Sequence, residues 1–142
     1  MKIDTHLRTK EKPLVYTSLL LLLPLILSVI LGLNIGIIIA IVTVFSTLHH
    51  LLKKPGSEWW WNTKGRSPLQ SFLLVIEIIS SLVLTVWSFL LLLEKSSASL
   101  WISVLIFIPT FILYLSTDYK KYVLYHSIWH CAIATIVSLA LV

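Results

Sequence analysis

From Leu14 to Leu52 the chain runs through apolar residues almost without a break. One transmembrane helix needs about 20 such residues, so this stretch holds enough for two and must reverse once between them. Further apolar runs, Leu69 to Leu93, Leu100 to Leu115 and Tyr122 to Val142, repeat the pattern. A backbone immersed in hydrocarbon has to satisfy its own hydrogen bonds, and helices do so within one segment. Composition agrees: 58% of residues are hydrophobic, 12% are charged and mean hydropathy is +0.96, whereas about a quarter of a soluble domain is charged. The expectation is an all-α, polytopic transmembrane bundle of about five helices, one domain over residues 1–142, with spans near 14–31, 35–52, 69–93, 100–115 and 120–142.

The reversal between the first two spans falls at Gly32-Leu-Asn34-Ile-Gly36, where two glycines and an asparagine tolerate the dihedrals of a tight turn. Lys53-Lys54-Pro55-Gly56 ends the second span, and Glu94-Lys95-Ser96-Ser97 separates the third from the fourth. Ser116-Thr117-Asp118 offers an N-cap ahead of the fifth. Pro24 and Pro109 lie inside the first and fourth spans and are expected to kink them. Trp59-Trp60-Trp61, beside Lys64 and Arg66, suits an interfacial anchor at headgroup level. The single cysteine, Cys131, permits no internal disulfide and is read as a small packing residue.

In a five-span zigzag the N-terminus, the loop after the second span and the loop after the fourth share one side. Ten of the eleven basic residues fall there and Lys95 falls opposite. The positive-inside rule makes that side cytoplasmic and places the C-terminal Val142 across the membrane. The net charge of +5 is thereby explained by orientation, which argues against a nucleic-acid partner. The basic leader with Lys2, Arg8, Lys10 and Lys12 resembles a signal peptide's start. The apolar run behind it is too long and lacks a small-residue cleavage site, so it is expected to be retained.

Polar residues inside these spans carry the functional information, because burying imidazoles or a carboxylate in hydrocarbon costs several kcal/mol unless they are paired or metal-bound. They are Ser46-Thr-Leu-His49-His50, Glu77, and His126-Ser-Ile-Trp-His130. His126 and His130 are four residues apart and project from one helix face, able to clasp one ion. Thr43, Ser46 and His50 follow an i, i+3, i+7 line, which makes His50 the better third ligand. His49 points about 100° away, toward another helix or the interface. In the zigzag all of these lie toward the cytoplasmic face.

Three neutral imidazoles with an open fourth position describe a catalytic zinc site, at which bound water becomes acidic enough to act as a nucleophile. Glu77, the one acid well inside an apolar run, is expected to act beside a divalent cation as the general base or water-positioner, the alternative being a protonated acid hydrogen-bonded to a neighbouring helix. Ser46 supports the transition state or bonds its own helix backbone. Asp118 suits an N-cap and ranks below Glu77.

The order SxxxH, acid, HxxxH resembles the CREST superfamily of membrane hydrolases, which includes alkaline ceramidases, adiponectin and progestin receptors, GPI-lipid remodelling proteins and myomaker relatives. Ser46 and His50, then Glu77, then His126 and His130 follow that order. The last-helix motif is most similar to the remodelling-protein and myomaker branch. The resemblance implies zinc bound by His50, His126 and His130 and hydrolysis of an amide or ester bond in a membrane lipid. The chain departs from the family in having fewer helices and in carrying Glu77 where the family has aspartate. Dimerisation is one way a five-helix version would complete its lipid cavity.

The expected function is therefore a zinc-dependent intramembrane lipid hydrolase, ceramidase- or phospholipase-like. Three alternatives stay open. They are a haem-binding electron carrier with axial histidines, a small proton-coupled transporter using Glu77, and a non-catalytic zinc-stabilised membrane scaffold.

Overall fold

A computed structural model describes residues 12–52, 67–95, 97–115 and 121–142. The chain is all-helical across them. The first span comprises α1 (Lys12–Ser18), a 3₁₀ turn (Leu19–Leu21) and α2 (Leu22–Ile30). The others are α3 (Gly36–Leu52), α4 (Pro68–Lys95), α5 (Ser97–Leu115) and α6 (Tyr122–Leu141). The basic leader before Lys12, Lys53-Lys54-Pro55-Gly56, the tryptophan triplet, Lys64, Arg66 and Ser116-Thr117-Asp118 lie outside the described residues.

The first span and α4, α5 and α6 are long and apolar enough to cross a membrane, which marks an integral membrane protein. With 17 residues, α3 is about 26 Å long, slightly short of the ~30 Å hydrocarbon thickness. Apolar side chains such as Val29, Ile30, Leu105 and Ile112 are exposed around the outside. The least buried helix is α5.

The reversal after the first span is a helix C-cap motif. Gly32 takes φ +65°, its N–H bonds Val29 O, and Leu33 N–H reaches back to Ser28 O. This satisfies the final carbonyls through a residue in the left-handed region, which glycine enters without a Cβ penalty. Four residues on, Gly36 serves a different need: a Cβ built there would stand 2.5 Å from Ser28 Oγ.

Pro24 tightens the first span without ending it. Its missing N–H leaves Leu20 O without its i+4 partner, and the 3₁₀ turn falls just before it. Pro109 sits inside α5, which continues unbroken to Leu115. α4 ends at Lys95 and α5 begins at Ser97, so the two spans part within the expected Glu94-Lys95-Ser96-Ser97 segment, with Glu94 and Lys95 as the last residues of α4. Lys95 Nζ donates to Leu141 O at 2.9 Å, tying the end of α4 to the end of α6. Cys131 is exposed on the outside of α6 instead of packing within the bundle.

The central helix is α6, which packs against α1, α2, α4 and α5. Ile39, Val42, Leu84, Ile133 and Val137 form the main apolar core, and Leu92, Ile136 and Ala140 form a second cluster toward the far end. At the end of the bundle opposite the second cluster, α3 and α6 face one another without extensive backbone packing. Polar side chains fill that gap.

Candidate metal centre

Five polar residues meet in the gap, all buried: Ser46 and His50 from α3, Glu77 from α4, and His126 and His130 from α6. Helix geometry supplies each pair. Ser46 and His50 are one turn apart, as are His126 and His130, and residues four apart share a face. The imidazole centroids of His126 and His130 are 4.6 Å apart. His50 stands 4.9 Å from His126 and 5.2 Å from His130. Each pair is edge to face.

Glu77 closes the group. Its Oε1 accepts a hydrogen bond from Ser46 Oγ at 2.7 Å and lies 3.7 Å from His50 Nε2. Ser46 Oγ is also 3.5 Å from His130 Nε2. Ser46 thus bonds across the bundle to Glu77, not to its own helix backbone. Thr43, the third member of the α3 stripe, does bond its backbone, donating to Ile39 O at 2.7 Å.

His50, Glu77, His126 and His130 each present one donor atom, all within 4.8 Å of one another, and so could hold a metal ion. Three imidazole nitrogens and one carboxylate oxygen suit zinc, whose bonds to such atoms run about 2.0–2.2 Å with tetrahedral edges of about 3.4 Å. Among the described residues, α5 contributes no member to this donor set.

His49 is buried and its ring lies 5.3 Å from His50. It stands outside the donor group but lines the adjoining cavity.

Several contacts had no strong signature in the sequence. Tyr114 of α5 and Tyr122 of α6 pack edge-on against His126, at 5.1 and 5.2 Å. Tyr122 is one turn before His126, so the HxxxH motif is the latter part of a longer aligned stripe. From α1, Thr17 Oγ1 lies 3.1 Å from His130 Nδ1. The Gln70 side-chain amide of α4 donates to Leu52 O, fastening the end of α3 just beyond His49 and His50.

Beside the donors lies a cavity of about 240 Å³. Glu77, His126 and His130 form its polar end. Val42, Ile78, Leu82, Phe107, Phe111 and Trp129 are among the apolar residues of its walls. The aromatic wall is continuous: Phe107 stacks on Phe111, and Tyr114 stacks on Trp129. Apolar walls converging on a few polar groups are the usual make-up of a small-molecule site.

No protein family, curated protein or solved structure matches this chain.

Proposed function

We propose that the protein is a zinc-dependent intramembrane hydrolase acting on an amide or ester bond of a membrane lipid. One observation carries the reading: three imidazoles and a carboxylate converge beside a cavity whose walls are apolar, and the carboxylate and two of those imidazoles, His126 and His130, line it. His50, His126 and His130 hold the ion. Zinc bound there supplies Lewis acidity toward a carbonyl and acidifies water near neutral pH.

The chain's own groups do the remaining work. Glu77 takes up a proton at its carboxylate, and the Ser46 hydroxyl holds Oε1 in place for that role. The walls formed by Ile78, Leu82, Phe107 and Phe111 receive an acyl chain and keep bulk water from the reacting bond. All donors lie toward one end of the bundle. The distribution of lysines and arginines makes that end cytoplasmic.

Detergent-purified protein is expected to contain about one zinc per chain and, in nanodiscs, to release a fatty acid from a ceramide or phospholipid. His130→Ala should abolish both. Lipid cleavage by a metal-free His130→Ala protein would overturn the assignment.

One observation favours a second reading, the zinc-stabilised scaffold. Glu77 is close enough to be a fourth ligand, and a closed four-ligand set is the signature of a structural zinc site. Zinc bound without turnover of any lipid would select it.

A further inference from the structure

The first span carries none of the residues that mark the metal centre, yet α1 reaches it through Thr17. We infer that Thr17 is a positioning residue: it holds His130 as the Nδ1–H tautomer and so turns the Nε2 lone pair into the donor group. The link to metal binding rests on reading that group as a zinc site. The tautomer itself does not.

A threonine hydroxyl has one proton to donate and lone pairs with which to accept. Thr17 Oγ1 lies 2.9 Å from Pro13 O and 3.2 Å from Leu14 O, and carbonyl oxygens can only accept. The hydroxyl proton therefore points back along α1, as it commonly does for threonine in a helix. The side of the oxygen facing His130 Nδ1, 3.1 Å away, is a lone pair. Nδ1 must carry the hydrogen for that contact to be attractive. A neutral imidazole has only one, so Nε2 is bare.

Nε2 is the nitrogen that faces inward, 3.5 Å from Ser46 Oγ. Ser46 already donates its proton to Glu77 Oε1, so it too presents a lone pair to Nε2. Two acceptors beside a carboxylate repel one another unless a proton or a cation stands among them. The same bond that fixes the tautomer thus makes the centre receptive to a metal. Outer hydrogen bonds of this kind typically change metal affinity 10- to 100-fold.

The next residue seats α1 against α3. Ser18 is fully buried, and its hydroxyl lies 3.5 Å from that of Thr47, the residue after Ser46 on α3. Thr17 and Ser18 thereby touch both walls of the gap.

The test uses full-length protein in detergent, labelled with ¹⁵N-histidine, with His130 assigned by H130Q. In the metal-free wild type, the ring nitrogens of His130 should show Nδ1 protonated and Nε2 bare. T17V removes the acceptor at nearly constant shape, and T17S keeps it. Zinc affinity, by competition with a chelator, should fall about 10- to 100-fold in T17V and stay within about threefold of wild type in T17S. The T17V imidazole, left with only the Leu14 carbonyl as an acceptor on that side, should show a larger share of the Nε2–H tautomer than the wild type. An Nε2-protonated His130 in the wild type, or a T17V protein with wild-type zinc affinity, overturns the inference. If T17V does not fold, the wild-type nitrogen shifts and T17S decide. A wild type that binds no zinc sinks the proposed function instead, while the shifts still give the tautomer.

Discussion

Ser46 and Glu77 join α3 to α4 by a single hydrogen bond, the serine hydroxyl donating to Oε1 at 2.7 Å inside a buried site. The bond orients the carboxylate against the imidazoles. Ser46→Ala frees the carboxylate to turn away from His50. Zinc content should be retained, and lipid turnover should fall about 10- to 100-fold, as for other residues that orient a metal site. Metal analysis and fatty-acid release, measured on the same preparation, check both halves.

Glu77→Gln separates the two readings of the acid. Glutamine keeps an oxygen for the Ser46 hydroxyl but cannot take up a proton. If three histidines hold the ion, the variant should bind zinc as wild type does and show no turnover. Loss of zinc would instead identify Glu77 as a ligand and favour the closed, structural site.

Metal binding should also be visible as stability, because an ion that binds only the folded state stabilises it. Chelator treatment should lower the Tm of the wild type, and added zinc should restore it. His126→Ala and His130→Ala should have the lower Tm already and respond to neither. A wild-type Tm unmoved by the chelator would deny zinc any structural role in the bundle.

Much of this site was legible in the sequence because hydrocarbon makes polarity conspicuous. His50, Glu77, His126 and His130 stood out as groups too costly to bury alone, and helical spacing placed the last two on one face. Thr17 did not stand out. A hydroxyl residue in an apolar helix can satisfy itself on its i−4 carbonyl, so its presence announces no partner, and only the docking of α1 on α6 reveals His130 beside it. Tyr114 and Tyr122 were hidden similarly, since aromatic residues near span ends are ordinarily interfacial anchors. Spans were read well where turn chemistry is local, as at Gly32. At Glu94-Lys95 the charge pattern suggested a break, and α4 ends there, at Lys95, whose Nζ bonds Leu141 O.

The turn before α3 offers a stability test independent of function. Gly32→Ala places a Cβ at φ +65°, which costs about 1–2 kcal/mol. Gly36→Ala meets Ser28 Oγ, which can rotate away only by giving up its 2.7 Å bond to Leu25 O, a loss of about 1 kcal/mol. Removing that hydroxyl should relieve the clash. Ser28→Ala combined with Gly36→Ala should therefore be more stable than Gly36→Ala alone, whereas Ser28→Ala should not rescue Gly32→Ala. Chemical denaturation of the set in one detergent measures all of these.

Ser81 tests the cavity apart from the metal. It lies on α4 about one turn beyond Glu77 and lines the cavity with a small side chain, opposite walls that are aromatic. Ser81→Phe puts a ring into a space of about 240 Å³, leaving every candidate donor untouched. Such a ring removes room for an acyl chain along its length, so the loss should depend on the chain. Zinc content should match the wild type, turnover of long-chain lipids should drop more than about tenfold, and short-chain analogues should suffer less, since lost apolar contact is graded with buried area. Equal losses for every chain length would mean that the apolar cavity is not where the lipid tail lies, and that the donors are reached by another route.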